Sequence, residues 1–404
     1  MAMTRQTHID SLRGIAALIV IIVHYLAAFY PYTIFGTQGA YQQHTNLENI
    51  VFFPPFGIIV SGHFAICLFF ILSGYVLSYR YLGEPNQVRK LVAAIIKRPI
   101  RLGGLVWFSI IVGSLLWYFG LFGNTYVSDL TSSKPWFSNF WKGDFDFSKL
   151  LVNLSTSSFS RGNIYNPPLW TIKIELYGSI MVYLFLLLFG QLKFRLLISI
   201  LLVIAFYDSL YQGFWIGLAI AETVKHHKLI MSFISKTMNY YLFLIIFIYL
   251  SSYPNYVSHD FLAGTIYAIL PDDKGFGGGY PMLSALLIFT LVISGEALKK
   301  HLNHPVFQFF GEISYGLYVM HFLVLGSISS WLFQVSNNYF GYHASFLVSF
   351  FVGLSIIIFV AHLATKYIDT PSIKFSTYIG TKMIDVTALL SFAYLKQLIT
   401  KRST

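Results

Sequence analysis

Asp10-Ser11-Leu12-Arg13-Gly14-Ile15-Ala16-Ala17-Leu18-Ile19-Val20-Ile21-Ile22-Val23-His24-Tyr25-Leu26-Ala27-Ala28-Phe29 decides the fold class. From Leu12 to Phe29 the run is apolar except for Arg13 near one end and His24 inside it. Roughly 20 such residues, rising about 1.5 Å each, cross a hydrocarbon core of ~30 Å, so the stretch predicts a membrane-spanning helix. An ionisable side chain inside a span is costly enough that its default reading is functional. Arg13 and His24 are eleven residues apart, and at about 100° per residue they return to within roughly 20° of one face, with Asp10 about 40° from His24. His24 stands roughly 16 Å above Arg13. One helix face therefore carries a polar track from one membrane surface past the centre.

Working outward, 56% of the 404 residues are hydrophobic and 11% charged, with a mean hydropathy of +0.65. An ordinary soluble domain carries about a quarter of its residues charged, so the class is an all-α, polytopic integral membrane protein. Apolar segments near 12–30, 57–79, 102–122, 168–190, 196–207, 210–222, 238–253, 281–297, 306–330 and 344–368 predict about ten transmembrane helices. The fifth and sixth are short for a crossing and suit a tilted or re-entrant hairpin around Asp208, Ser209 and Gln212. With both termini cytoplasmic, the outer side and helix interiors keep only Lys134, Lys142, Lys149, Arg161, Lys173 and Lys274 of the 27 Lys and Arg, and the inner segments hold the rest. That asymmetry is the positive-inside pattern of the cell's inner (plasma) membrane.

The net charge of +11 follows from this topology and from attraction to anionic lipid, and the scattered basic residues argue against a nucleic-acid partner. Cys67 is the single cysteine, which excludes an intrachain disulfide and reads as a small core hydrophobe. The first apolar run lacks a small-residue cleavage site and is expected to stay as an anchor. Residues 1–380 form the expected membrane domain and 381–404 a cytoplasmic or interfacial tail, broken by Asp385, Lys396 and Gln397. The long outer loop from Gly123 to Asn166 carries Trp136, Phe137, Phe140, Trp141 and Phe145, suited to an interfacial belt or to stacking on a sugar. A second outer loop covers residues 254–280, with Asp272, Asp273 and Gly275 to Gly279.

Five blocks then carry a resemblance. Ile9-Asp10-Ser11-Leu12-Arg13-Gly14 with His24, Phe69-Phe70-Ile71-Leu72-Ser73-Gly74-Tyr75, Arg98-Pro99-Ile100-Arg101-Leu102, Pro168-Leu169-Trp170-Thr171-Ile172-Lys173-Ile174-Glu175, and Ile313-Ser314-Tyr315-Gly316-Leu317-Tyr318 with His321 occur in this order over nearly the whole chain. Together they resemble the acyltransferase-3 family of integral membrane O-acyltransferases. The resemblance implies transfer of an acyl group, commonly acetyl, from cytoplasmic acyl-CoA to a hydroxyl of a cell-surface saccharide, glycolipid or small molecule. The acyl-CoA is then a substrate, no permanently bound cofactor being implied. Some members append a periplasmic hydrolase-like domain, for which these 404 residues leave no room.

Acyl transfer from a thioester to an alcohol needs a base working near neutral pH, and imidazole suits that task. His24 is the candidate base or acyl carrier, and the resemblance marks the same histidine. Glu175, near the outer start of the fourth span, reaches a similar depth and is the candidate orienting carboxylate. Lys173 is two residues away and points elsewhere on the helix. Arg98 and Arg101, three apart at the inner start of the third span, are expected with Arg13 and Lys97 to bind the phosphates of coenzyme A through guanidinium forks. Asp10, Trp170 and His321 are further site candidates; His321 lies nine residues from Glu312 and so on nearly the opposite face of a straight helix.

His63, Asp208, Glu222, Glu312 and His362 read as packing or hinge residues, and Ser73-Gly74 as a point of close helix approach without the Gly-x-Ser-x-Gly elbow of a nucleophilic serine. The adjacent His226-His227 cannot both face one ion on a helix, and His301/His304, though spaced like ligands, have no further ligand near in sequence, which argues against a metal site. A transporter or flippase, with discontinuous helices around Asp208, is the rival class.

Overall fold

The computed structural model describes residues 6–36, 41–84, 87–155, 159, 163–254, 259–271, 273 and 278–383, and every regular element among them is a helix. All ten predicted segments are helical: α1 (Thr7–Phe29), α2 (Gly62–Tyr79), α3 (Val88–Tyr118), α4 (Trp170–Phe189), α5 (Arg195–Ala205), α6 (Gln212–His226), α7 (Thr237–Ser251), α8 (Gly279–Ser294), α9 (Ser314–Phe340) and α10 (Tyr342–Ala364). Six of the described helices are long and apolar enough to cross a membrane, and up to eight if the bent pairs Lys228–Ser235 with α7 and α8 with Glu296–Leu302 each form one span. The protein is thus a multi-pass membrane protein.

The difference from ten lies in α5 and α6. At 11 and 15 residues they rise about 16 and 22 Å, short of a ~30 Å core. They form a hairpin that turns at Asp208, whose φ of 62° lies in the left-handed region an Asp tolerates better than most residues. Two other boundaries move. α3 begins well before the expected position and runs through Pro99 for 31 residues, and the ninth span is α9, preceded by a separate short helix, Pro305–Glu312. Of the tail from Thr381, only 381–383 are described, and the expected interfacial helix over 384–404 lies outside the described residues, as do Arg161, Asp272, Lys274 and Gly275 to Gly277.

α1 is the central element. Ile9, Ala16, Ala17, Ile21, Tyr25, Ala28 and Phe29 are all buried, and α1 packs against α2, α9 and the Pro305–Glu312 helix. Small residues set these approaches, because in lipid helix association rests on close packing rather than on a hydrophobic drive. A Cβ on Gly14 would stand 2.5 Å from Gly311 N, and one on Gly311 2.5 Å from the Asp10 carbonyl carbon. α2 meets α6 in the same way: a Cβ on Gly74 would stand 2.2 Å from Phe214 O, and one on Gly217 2.1 Å from Ile71 O. Gly74 therefore has the close-approach role read from Ser73-Gly74.

The aromatic loop neither spreads as a belt nor stands free as a platform. It folds down over one end of α1 and α9, with Phe137 fully buried and Trp141 nearly so. The Trp141 ring stacks on Phe122 at 3.7 Å and occupies the notch left by Gly326 of α9, where a Cβ would stand 2.3 Å from it. Asn124 Nδ2 donates to the carbonyls of Phe137 and Phe140, and Thr131 Oγ1 donates to Ala28 O of α1 at 2.7 Å. A second lid is ordered by buried Glu48, which accepts from the backbone N–H of His44 and Thr45 at 2.6 and 2.8 Å. Charge-assisted bonds of this kind replace the water that the carboxylate loses on burial.

Gly74→Val tests the glycine contact. Overpacking costs about 1–3 kcal/mol, so the detergent-solubilised protein is expected to lose several degrees of thermal midpoint. Gly264→Ala, whose Cβ would have its nearest neighbour at 3.9 Å, is expected to shift it by about a degree at most. Equal midpoints for the two variants would show that α2 and α6 do not need the glycine.

Candidate active site

Two cavities open from opposite ends of α1. The first, about 460 Å³, is lined by Asp10 and Arg13 of α1, Ser73 of α2, Arg98 and Arg101 of α3, Glu175 of α4, Glu312, Tyr315 and Asp369. Arg98 is its fixed centre: Nη2 is ion-paired with Glu175 Oε1, Nε donates to Ser179 Oγ at 2.8 Å, and Ser73 Oγ donates to the same Glu175 oxygen at 2.9 Å. The Arg98 and Glu175 side chains are only 7% and 12% exposed. With that pair internally satisfied, Arg13 and Arg101 are the guanidiniums left for a ligand. Arg13 Nε is buried without a hydrogen-bond partner. Arg101 is exposed at the cavity rim, with Arg98, Arg13 and Asp369 as charged neighbours. The cavity is not a bare basic patch, since Asp10, Glu312 and Asp369 also line it.

The second cavity, about 270 Å³, lies beneath the two lids. His24 lines it with His63, Thr33, Ser61, Trp136 and Trp170, and among the described lining residues there is no Asp, Glu, Lys or Arg. Trp136 of the aromatic loop stacks over the imidazole, ring centroids 6.0 Å apart at 22°.

His24 is held by a partner that sequence depth alone does not reveal. His321 Nε2 lies 3.2 Å from His24 Nδ1, which also lies 2.9 Å from Val20 O. His321 Nδ1 faces two carbonyls, Tyr318 O at 2.7 Å and Leu317 O at 3.1 Å. A carbonyl only accepts, so His321 Nδ1 carries the hydrogen and its Nε2 presents a lone pair. His24 Nδ1–H then donates to Val20 O and to that lone pair. The tautomer assignment leaves His24 Nε2 as the unprotonated nitrogen. An imidazole whose Nδ1–H is held by an acceptor and whose Nε2 is a free base is what proton abstraction from a hydroxyl requires.

A family model described as an acyltransferase domain matches residues 7–363, which takes in both histidines, the whole lining of the second cavity and that of the first as far as Tyr318. The chain belongs to the acyltransferase-3 family. It is 23% identical over 443 residues to acyltransferase R4 of Phoma sp., covering 91% of this chain and 94% of that one. It is 24% identical over 445 residues to acyltransferase clz18 of Cochliobolus lunatus, covering 90% and 93%. O-acetyltransferase PaAT-1 of Phomopsis amygdali is 26% identical over 231 residues, 52% of this chain and 45% of the relative. No solved structure matches. The protein is therefore a membrane acyltransferase, an enzyme of the class that transfers groups other than aminoacyl groups.

Within this family member the sequence-derived candidates fall into two groups. Asp10, Arg13, Arg98, Arg101 and Glu175 share the first cavity; His24 and Trp170 line the second, and His321 backs His24. The expected meeting of Glu175 with His24 is not what the structure has. Counting along the spans predicts a similar depth, but Glu175 faces the guanidinium of Arg98, and the group beside the imidazole of His24 is a second imidazole. Lys97 does not join the arginines; its stem lies against Gly380. Lys173 is exposed on the far face of α4, as its spacing implies. Glu312 lines the first cavity, whereas His321 lines neither and touches His24; a break at Ile313 puts the two on separate helices, so the straight-helix face relation does not apply.

Asp208 lines neither cavity, and Glu222 pairs with Arg195 at 2.7 Å. His63, Tyr318 and Asp369 were not singled out as site residues, whereas Trp136 was among the loop aromatics weighed for stacking on a sugar. For His63 the signal was present, an ionisable group at the start of an apolar helix, whereas Tyr318 and Asp369 needed the fold.

Breaking the buried pair is expected to be expensive. Removing one partner of a buried ion pair costs about 3–5 kcal/mol, while replacing both with apolar groups of similar volume is often neutral. Glu175→Leu should therefore lower the thermal midpoint by many degrees and Arg98→Met with Glu175→Leu should recover most of it. A double variant no more stable than the single one would mean that the pair is not the unit.

Proposed function

We propose that this acyltransferase moves an acyl group, acetyl first among the candidates, from cytoplasmic acyl-CoA to a hydroxyl of an extracytoplasmic saccharide or glycolipid, such as an O-antigen or exopolysaccharide unit. The observation that carries this reading is the His24–His321 pair, with His24 Nε2 unprotonated at the wall of a cavity that contains no charged lining residue among those described. The concentration of Lys and Arg in the segments read as inner loops supports a cytoplasmic location for both termini and for the arginine-lined cavity in the inner (plasma) membrane, and the α5–α6 hairpin leaves that parity unchanged whether it is re-entrant or crosses.

In this scheme Arg13 and Arg101 hold the phosphates of the donor, guanidinium being suited to phosphate recognition. The carboxylates of Asp10, Glu312 and Asp369 offer acceptors for the amide N–H groups of a pantetheine arm. The acceptor hydroxyl enters beneath the lids and meets His24 Nε2, against the faces of Trp136 and Trp170. As its oxygen attacks the thioester carbonyl, its proton passes to Nε2, the C–O bond forms, and the C–S bond breaks. The imidazolium then returns the proton to the departing thiolate. His321 Nε2 accepts from His24 Nδ1–H throughout and so favours the charged ring that forms midway. Because His24 lines the cavity assigned to the acceptor and not the one assigned to the donor, we favour general-base action over a carried acyl-histidine.

Purified protein with labelled acetyl-CoA tests the reading. General-base catalysis contributes about 10²–10⁴-fold, so His24→Ala should cut transfer by that order, and His321→Phe, which keeps a ring but removes the acceptor, by less. Undiminished turnover in His24→Ala would overturn the proposal, and a labelled histidine trapped without acceptor would overturn the direct route. Arg13→Ala and Arg101→Ala are each expected to raise KM for acetyl-CoA about tenfold, the loss of ~1.4 kcal/mol of binding, with a smaller change in kcat. A fall in kcat at constant KM would remove them from donor binding.

A further inference from the structure

The lining residues of the two cavities overlap at two positions, Ile66 of α2 and Tyr318 of α9. Every other lining residue belongs to one side. Ile66 is half-buried, and Tyr318 is firmly held. Tyr318 is 8% exposed, its hydroxyl lies 2.7 Å from Thr171 Oγ1 and donates to Pro168 O at 3.0 Å, and Phe69 meets its ring edge-on at 5.9 Å. Pro168 lines the cavity that contains His24, and Thr171 and Phe69 line the one that contains the arginines. The ring thus stands in a wall whose two faces belong to different chambers. Its main chain has a second task, since Tyr318 O accepts from His321 Nδ1 and so helps set the tautomer that orients His24.

Resting on the acyl-transfer reading above, we propose that Tyr318 and Ile66 form the partition between the donor and acceptor chambers, and that passage past these two side chains restricts the enzyme to short acyl donors. The chemistry requires the thioester carbon and the acceptor oxygen to approach to about 3–3.5 Å. The imidazole that deprotonates the acceptor lines only one chamber, and the guanidiniums line only the other. The acyl end of the donor must therefore cross the wall while its phosphates stay behind. A two-carbon group presents little beyond the carbonyl itself to the partition. A longer chain must displace Ile66 or turn the Tyr318 ring, and turning that ring breaks both hydroxyl hydrogen bonds. The partition also keeps water in the acceptor chamber from the waiting thioester, so that hydrolysis, in which water supplies the oxygen and free CoA thiol leaves, does not compete.

The full-length enzyme in lipid nanodiscs, with acetyl-CoA or octanoyl-CoA as donor and methyl glucoside as a neutral probe acceptor, distinguishes the outcomes. Acyl methyl glucoside and free acid are counted separately. The wild-type enzyme is expected to prefer acetyl-CoA, and Ile66→Ala to raise the octanoyl-to-acetyl ratio of kcat/KM at least tenfold. Tyr318→Phe, which keeps the ring and loses its two hydrogen bonds, is expected to raise the share of donor lost to water several-fold. A measurable enzyme whose chain-length ratio and hydrolysis share are the same in wild type and both variants overturns the partition and leaves the acyl-transfer reading standing. A wild-type protein that neither binds nor turns over acetyl-CoA overturns that reading, and the partition falls with it. Thermal midpoints of both variants within a few degrees of wild type separate a changed passage from a damaged fold.

Discussion

Gly14 and Gly311 allow α1 and the Pro305–Glu312 helix to meet almost backbone to backbone, and the site depends on that approach. In a bilayer the solvent is as apolar as the side chains, so two helices are held together by how closely they fit. A side chain at either glycine would stand within 2.5 Å of main-chain atoms. The contact fixes the height of α9 against α1, and with it the placement of His321 beside His24. It also brings Glu312 into the same cavity as Asp10 and Arg13, so that α1 meets the Pro305–Glu312 helix at one end of the polar track and α9 at the other.

On that frame two kinds of polar group are treated differently. The arginine-lined end contains a buried ion pair whose partners are matched from α3 and α4, with hydroxyls of Ser73 and Ser179 completing the bonding. A charge with no partner in this setting would cost more than the helix contacts return. The histidine end uses neutral groups: two imidazoles, three main-chain carbonyls, and a wall without charge among the described lining residues. Chemistry that creates charge only transiently is best served there, because preoriented dipoles stabilise it without reorganising.

The lids are part of the same economy of water. Trp136 covers the imidazole, Trp141 is keyed into the Gly326 notch, and Glu48 orders the chain that supplies Val51 and Phe52 to the cavity. Aromatics in a loop between spans commonly mark the lipid interface. Here they turn inward because Asn124 and Thr131 satisfy backbone carbonyls that would otherwise face an apolar interior.

What the sequence by itself determined was the class of the protein, the approximate position of each apolar helix and the identity of many of the polar groups that line the two cavities. These are local properties: a run of apolar residues fixes a helix because the backbone must bond internally in lipid, and an ionisable residue within one is visible wherever it stands. His24, Arg13, Arg98, Arg101 and Glu175 were legible for that reason. Only the tertiary structure decided who meets whom. Depth along a span says nothing about rotation or neighbour, so Glu175 was matched to His24 by height while the packing of α3 against α4 gave it to Arg98. His321 lies 297 residues from His24, and no helical period relates the two. Tyr318 is a further case, an apolar-looking position in a buried helix whose meaning comes from standing where two cavities share a wall.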